Sequence, residues 1–276
     1  MKRRLFLPLL AATILAACSK DDNPTLGQAP RLFTVSVTEN PFTDPGGTPT
    51  TRGAEIMTES LAAFSMNYEG SKYDFTKTGG TWSTFTWPGV ANSTKIDFYA
   101  YNAGTFYWNS GAPYLSFTVD ANASTQRDLL VATHQQISYS ESGGEVSLTF
   151  DHACAAIQFN VCKTSGVADK TVVVKSVVLS NVKNQGDYHY ATGWSLKAPT
   201  TSYTLTTGDI TLTTEKQPLP CGFLFLIPQE KSGVTLTVNY TVNDGSPQSH
   251  DFNLTGSWLA GHEYTININM GTSIIH

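Results

Sequence analysis

Residues with the chemistry for catalysis or metal binding occur in this sequence, but not at the spacings that such sites use. The six histidines are scattered and form no HExxH pair, and the four cysteines form no CxxC pair. The chain also lacks the GxSxG turn of serine hydrolases and the glycine-rich loops GxGxxG and GxxxxGK[ST] that bind phosphates. We therefore predict no catalytic residues, no metal site and no cofactor, and we expect the protein not to be an enzyme.

The cysteine at position 18 has the surroundings of a lipid attachment site. Basic residues near the start precede an apolar run over residues 5–17, which is too short to cross a bilayer as a helix. This order is typical of a secretory signal peptide, which we predict over residues 1–17. The run ends in a leucine and two alanines directly before Cys18, which resembles the lipobox of bacterial lipoproteins. The resemblance implies cleavage before Cys18, lipidation of its thiol and attachment to the outer membrane.

Residues 18–31 are predicted to form a lipid-anchored tether. The tether begins with Cys18 followed by Ser-Lys-Asp-Asp, which resembles a signal that sends lipoproteins to the cell surface in some Gram-negative anaerobes. A plain polar tether without a sorting role is the alternative interpretation. We expect a surface-exposed lipoprotein.

The three cysteines beyond the tether, Cys154, Cys162 and Cys221, all lie in apolar stretches. An exported chain can oxidise cysteines, so one disulfide among the three is compatible with the sequence. Buried free thiols are equally compatible, because free cysteine is among the residue types most often buried. The pattern leaves both interpretations open.

The composition excludes several classes of protein. Hydrophobic residues make up 40% of the chain and aromatic residues 11%, which is enough for a substantial core and argues against intrinsic disorder. Charged residues make up only 14%, which argues against a helical bundle or coiled coil. The formal net charge of −5 argues against a protein that binds nucleic acid.

Alternation of apolar and polar residues predicts a succession of β-strands. Every second residue is apolar over 234–240 and again over 264–270, and turn signals recur about every 8–12 residues. This spacing is typical of an all-β sandwich or barrel. The histidine at 152 follows an apolar strand and is predicted to be structural. Strands are predicted over residues 32–37, 62–68, 82–87, 95–101, 114–119, 129–132, 145–150, 155–161, 171–180, 188–194, 210–214, 222–227, 234–242, 249–254 and 263–270.

The number of predicted strands fits two sandwiches of about seven strands each. We place the first sandwich at residues 53–142 and the second at 143–276, because a Ser/Gly-rich turn occupies 140–144. A boundary near residue 165, within 163–170, is the alternative.

The first predicted strand is separated from the rest by an unusual loop. Phe33, Val35 and Val37 alternate on one face, as in a half-buried strand. Residues 40–53 then contain three prolines and three glycines, which predicts an exposed linker that proteases can reach. One isolated strand is thus tied to the body by a long loop.

A cluster of aromatic residues at Phe106, Tyr107 and Trp108 lies beside a predicted turn at 109–111. Exposed tyrosine and tryptophan rings can stack on sugars or on a protein partner. The alternative is that these rings cap the sandwich core. We therefore treat the three residues as candidate ligand contacts.

Taken in order along the chain, these features resemble the fimbrillin-like family of type V pili. Members are lipoprotein pilins and cell-adhesion proteins of gut and oral anaerobes. The resemblance covers nearly the whole chain. The segments that carry it are the lipobox, the isolated strand at 32–37, Thr51-Arg52, 61–68, 87–88, 96–101, 128–132, 146–152, 226–229 and 258–266.

The family resemblance implies two tandem transthyretin-like β-sandwich domains with Greek-key-type antiparallel sheets. It also implies that residues 32–52 are removable: an Arg-specific protease cuts between Arg52 and Gly53, and the first strand leaves with the lipid. Phe33, Val35 and Val37 would be the face of that strand that plugs the groove. A C-terminal strand of another subunit would then fill the groove by donor-strand exchange.

The C-terminal end departs from this pattern. Only residues 271–276 follow Met270, so a long detachable donor tail is not evident. The last strand itself is then the expected donor, through Tyr264, Ile266, Ile268 and Met270. A subunit that acts at the tip of the pilus or as its anchor is the alternative.

The leading functional hypothesis is therefore a structural, tip or anchor subunit of a pilus that acts in cell adhesion. Its expected partners are other pilus subunits, in a homopolymer or a heteropolymer, the outer membrane through the lipid, and a host protein or glycan. The second hypothesis is a glycan-binding surface lipoprotein of a nutrient-uptake system, based on the aromatic cluster. A β-sandwich enzyme is the third hypothesis, and no catalytic motif supports it.

Overall fold

The computed structural model describes residues 30–48, 61–109, 111–206 and 208–275, and these ranges are almost entirely β-structure. Helical structure within them is limited to one short helix, α1 (Tyr139–Ser142), and two 3-10 turns at Ala123–Thr125 and Ser165–Val167. The all-β prediction is confirmed. None of the helices in the described ranges is long or apolar enough to cross a membrane.

The strands number twenty-two in the described ranges. In chain order they are β1 (Leu32–Glu39), β2 (Ala63–Tyr68), β3 (Ser71–Thr78), β4 (Thr81–Trp82), β5 (Phe85–Thr86), β6 (Ile96–Tyr101), β7 (Thr105–Tyr107), β8 (Tyr114–Thr118), β9 (Leu130–Ile137), β10 (Glu145–His152), β11 (Ala155–Lys163), β12 (Val172–Lys183), β13 (Gln185–His189), β14 (Gly193–Leu196), β15 (Thr200–Thr204), β16 (Ile210–Thr211), β17 (Gln217–Leu226), β18 (Gln229–Glu230), β19 (Thr235–Val242), β20 (Gln248–Asn253), β21 (Ser257–Trp258) and β22 (Glu263–Met270).

Two hydrophobic cores organise these strands. The first core lies within the eight-stranded sheet β4-β3-β2-β6-β9-β10-β1-β5 and is rich in aromatic rings. The second core lies between the sheets β17-β11-β22 and β15-β12-β19-β20 and is rich in valine and leucine. The chain passes from one sheet to the other between β10 and β11, which are separated only by Ala153 and Cys154.

A smaller sheet, β14-β13-β8-β7, connects the two halves of the chain, because β8 pairs with β13. Leu115 and Phe117 of β8 therefore belong to the second core, although they precede β9 of the first sheet. The predicted boundary at residue 143 falls just before β10, which lies in the sheet of β1. The two domain ranges and their transthyretin-like arrangement stay predictions.

The first strand pairs in parallel with β10, whereas the other strand pairs of this sheet, including β1 with β5, are antiparallel. It pairs with β10 from Thr34 opposite Glu145 to Glu39 opposite Phe150, and with β5 through only two residues, Leu32 and Phe33. The strand ends at Glu39 rather than at the predicted residue 37, because the pairing with β10 continues that far. Within the described ranges, most of the length of β1 is thus paired along one edge.

The turn at Gly144, which directly precedes β10, contacts the beginning of β1. The backbone N–H of Thr34 donates to the carbonyl of Gly144, at 2.9 Å. Gly144 has a φ of +89°, and a Cβ there would lie 2.9 Å from the carbonyl oxygen of Leu32. Only glycine accommodates both the left-handed conformation and this close approach. The guanidinium of Arg31 adds hydrogen bonds to the carbonyl oxygens of Pro88 and Val90.

The last strand, β22, is placed in the second half much as β1 is in the first. It runs parallel to β11, from Glu263 opposite Ala156 to Met270 opposite Lys163. Ile268 and Met270 are buried in the second core. The eight-stranded sheet and the sheet β17-β11-β22 thus each contain a strand from one end of the described chain, paired in parallel with a strand far away in the sequence.

Candidate functional site

The candidate site is the surface that β1 covers, which we call the β1 groove. It consists of the edge of β10 that pairs with β1 and the part of the first core beneath the inner face of β1. Phe33 is 1% exposed and Val35 is buried, while Val37 is half-buried above a small cavity of about 80 Å³. The ring of Phe33 has its centroid 5.5–6.5 Å from those of five other rings, namely Tyr73, Phe75, Phe85, Trp87 and Phe98. The residues predicted as the plug face therefore point into the first core or line its edge.

The outer face of β1 forms a row of polar pairs with β10. The parallel register puts matching side chains opposite each other on the exposed side of the sheet. These pairs lie in solvent, so each adds little to the free energy of unfolding but restricts the register of the strands. The pairs are Ser36 with Ser147 at 2.9 Å, Thr38 with Thr149 at 3.0 Å, and Asn40 with Asp151 at 2.6 Å.

A buried charged network closes the C-terminal end of the groove. The Nε2 atom of His152 lies 2.8 Å from Glu39 Oε1, and its Nδ1 atom lies 2.5 Å from Asp128 Oδ2. The side chains of His152, Glu39 and Asp128 are 1%, 4% and 0% exposed. The second oxygen of Asp128 accepts from the backbone N–H of Cys154, at 3.2 Å. Glu39 is the one member of this network that β1 supplies.

The network holds His152 as an imidazolium cation. Nδ1 of His152 is hydrogen-bonded to Asp128, and Nε2 forms an ion pair with Glu39 across 2.8 Å. Burial by itself lowers the pKa of His152, but the interactions with the carboxylates of Asp128 and Glu39 outweigh it and raise the pKa to about 9. The charge is therefore present at neutral pH, where Asp128 balances it and Glu39 places a second carboxylate against Nε2.

The segment after β1 extends from the first core into the second. Phe42 is fully buried in the second core and stacks on His152, with ring centroids 3.7 Å apart. The N–H of Thr43 donates to the carbonyl of Gly261 at 2.9 Å, and the N–H of Glu263 donates to the carbonyl of Thr43 at 2.7 Å. The N-terminal segment thus inserts into both cores, through Phe33 at one end and Phe42 at the other.

Other predicted site residues lie elsewhere. Cys18, Arg52 and Gly53 fall outside the described residues. Tyr264, Ile266, Ile268 and Met270 all belong to β22. Among the described residues, no group of three or more histidine, cysteine or acidic side chains is arranged to hold a metal ion.

The aromatic cluster divides between core and surface. Phe106 is half-buried and stacks on Tyr101, with ring centroids 5.6 Å apart. Tyr107 is 46% exposed and Trp108 is 38% exposed. Trp108 also lines a cleft of about 180 Å³ whose other lining residues include Glu69, Lys95 and Asp97. Two of the three predicted contacts therefore remain accessible to a ligand.

Sequence reasoning missed Glu39, Asp128 and Phe42 as members of the site. Glu39 carried a usable signal, because it falls on the same alternating face as Phe33 and Val37. Asp128 and His152 both lie in segments that resemble the fimbrillin-like pattern, but only the tertiary structure brings them together. Phe42 lies in the predicted linker, where a buried aromatic ring is not expected from the local composition.

Comparison with protein families identifies the chain. The family model described as Fimbrillin-like matches residues 47–276, which is most of the sequence. The chain belongs to the fimbrillin-like family. This confirms the family suggested by the sequence motifs. No curated protein matches the sequence.

Solved structures support the fold of this fimbrillin-like protein. A fimbrial protein from Bacteroides vulgatus ATCC 8482 superposes with a TM-score of 0.59 and 18% identity, over 89% of this chain and 96% of the other. A "putative cell adhesion protein" from Bacteroides ovatus ATCC 8483 superposes with a TM-score of 0.55 and 16% identity, over 88% and 93%. At such low identity the agreement establishes a shared fold.

Proposed function

We propose that this fimbrillin-like protein is a subunit of a type V pilus at the cell surface and assembles by exchange of its first strand. The observation that carries the proposal is the position of β1. This strand inserts Phe33 and Val35 into the first core, yet within the part of the chain that the structure describes it pairs almost entirely along one edge, in parallel with β10. Family membership supports the general role in fimbrial structure and adhesion.

In the proposed assembly step, a surface protease with Arg specificity cuts between Arg52 and Gly53. The first strand then leaves together with the lipid on Cys18. Its departure exposes the edge of β10 and the pockets of Phe33 and Val35. Each such side chain contributes about 1.5–3 kcal/mol when buried, so the open groove binds another apolar strand strongly. A C-terminal strand of another subunit adds to the sheet in its place.

Limited proteolysis tests this proposal. The form that begins at residue 19 is digested with an Arg-specific protease and followed by intact mass and native size. We expect one cut after Arg52, loss of residues 19–52 and growth of oligomers. Cleavage after Arg31 should be slower, because the guanidinium of Arg31 is bonded to the carbonyls of Pro88 and Val90.

The matched control is the Arg52→Ala variant, which should stay uncut at this position and monomeric. A protein that is cut after Arg52 but remains a monomer would contradict strand exchange. A protein that resists cleavage there would instead fit an uncleaved anchor or tip subunit.

Glycan binding is the second candidate function, and the exposed tryptophan favours it. Trp108 lines a cleft together with the polar groups of Glu69, Lys95 and Asp97. An aromatic face beside such groups suits a sugar, whose apolar face stacks while its hydroxyls are hydrogen-bonded. A glycan array comparing the native protein with a Trp108→Ala variant tests it. Equal binding by both would contradict the role of this cleft.

A further inference from the structure

The β1 groove ends in a buried cation, which restricts what can occupy it. Asp128 and His152 both belong to the body of the protein, whereas Glu39 belongs to the strand that leaves. After β1 departs, Nδ1 of His152 keeps its carboxylate, but Nε2 loses the Glu39 carboxylate with which it forms an ion pair at 2.8 Å. A buried donor without an acceptor is costly, and more so when it is charged.

The position of Phe42 also restricts which segment can replace β1. Phe42 lies three residues after Glu39 and is fully buried, with its ring on the imidazole of His152. Its ring centroid is also 6.4 Å from that of Phe225 in the second core. A segment that replaces residues 32–43 must fill this position to restore the packing on His152.

We propose that the β1 groove selects a replacing strand with a carboxylate at the position of Glu39 and an aromatic side chain three residues later. The occupant is an extended segment of another subunit that runs parallel to β10. Its recognition pattern is three alternating apolar residues, an acidic residue two positions on, and then the aromatic ring. This inference rests on the proposed strand exchange and specifies the chemistry of the donor.

The last strand of this chain does not carry that pattern. If Tyr264 takes the place of Phe33, Met270 takes the place of Glu39. If Ile266 takes that place instead, Thr272 replaces Glu39. Neither register offers a carboxylate to His152. A donor of different sequence therefore fits the groove better than β22 of an identical subunit, which favours a heteropolymer at this contact.

Peptide exchange on the full chain tests the inference. A protease site introduced between residues 49 and 60 allows the chain to be cut, so that β1 is held by non-covalent contacts alone. A labelled peptide of residues 30–44 then competes with the resident strand, and the Glu39→Gln version of the same peptide is compared with it. We expect the Glu39 peptide to reach half-exchange at a concentration at least tenfold lower.

Two controls isolate the carboxylate contact. The Thr38→Val peptide changes an exposed neighbour on the outer face and should exchange within about threefold of the native peptide. On a His152→Gln chain the preference for Glu39 over Gln should disappear, as a double-mutant cycle requires of directly coupled groups. A peptide of residues 264–275 should exchange no better than the Glu39→Gln peptide.

The inference is overturned if the Glu39 and Gln peptides exchange equally on the native chain, or if the 264–275 peptide matches the Glu39 peptide. If no peptide enters the β1 groove, the proposed strand exchange is wrong. The requirement for a carboxylate at the position of Glu39 is then measured on the uncut chain. There, hydrogen exchange of the β1 amides should be faster in Glu39→Gln than in Thr38→Val. Equal protection in the two variants would overturn the carboxylate requirement itself.

Discussion

Replacing Phe33 by alanine tests directly whether β1 is an integral part of the first core. The side chain is 1% exposed. Its ring packs edge-to-face, tilted or stacked against neighbours from three other strands and from a loop, with centroid separations of 5.5–6.5 Å. Removal of the ring would leave a cavity bounded by rigid aromatic side chains.

The expected cost follows from this packing. Phe→Ala substitutions in protein cores lower the free energy of unfolding by about 3–5 kcal/mol. The upper part of this range applies here, because aromatic pairs add about 0.5–1.5 kcal/mol beyond the buried area. A domain has only about 5–15 kcal/mol of stability, so Phe33→Ala removes a large fraction of what stabilises the first core.

The assay combines urea unfolding with hydrogen exchange. Urea unfolding gives the loss of free energy, and hydrogen exchange of the β1 amides shows whether the loss is concentrated in this strand. The matched control is Leu32→Ala, since Leu32 is the adjacent residue of β1 and is 53% exposed. This control should change the free energy of unfolding by about 0.5 kcal/mol or less.

A loss of less than about 1 kcal/mol in the free energy of unfolding for Phe33→Ala would refute the reasoning, because truncation of a side chain with such packing should cost more than that. A loss equal to that of Leu32→Ala would refute it in the same way. Either result would mean that β1 rests on the surface of the first core rather than forming part of it.

Three further predictions concern other parts of the molecule. The raised pKa of His152, about 9, means that its contribution to stability is complete below its unfolded pKa of about 6.5 and is lost as the pH rises through 9. Urea unfolding should therefore show that the native protein loses about 3 kcal/mol more than a His152→Gln variant between pH 6 and pH 10. Trp108→Ala should lower the melting temperature by less than Phe33→Ala does, because Trp108 is 38% exposed and Phe33 1%, and an equal or larger decrease would contradict this. Burial raises the pKa of the Cys154 thiol and of the Cys221 thiol, but Cys154 is fully buried and Cys221 only partly. When the folded protein is treated with an alkylating reagent, mass spectrometry should therefore find Cys221 modified before Cys154.

The alternation of Phe33, Val35 and Val37 predicted a half-buried strand, and the structure places Phe33 and Val35 in the core. Local sequence was sufficient here, because side chains in a strand alternate between two faces whatever the strand pairs with. The same rule extends to Glu39, two residues beyond the predicted end. At Phe42 the prediction from local composition was wrong, because it gave an exposed linker. Local composition carries no information about a pocket formed by residues far away in the sequence.

The partners of β1 were beyond the reach of sequence patterns. Glu39 pairs with Phe150, and its carboxylate meets a histidine whose other nitrogen contacts Asp128. The spacing of these residues does not indicate that β1 pairs with β10, because strands that are consecutive in the sequence are the ones that usually lie side by side. Such long-range contacts depend on the topology of the whole sheet.

The sequence by itself determined the all-β class, the family and the apolar face of the first strand, because these depend on composition, periodicity and ordered motifs. The tertiary structure alone decided that β1 lies parallel to β10 and that Glu39, Asp128 and His152 meet. It also decided that Phe42 inserts into the second core. The physical reason is that alternation specifies which face of a strand is buried, whereas its partner depends on contacts between distant parts of the chain.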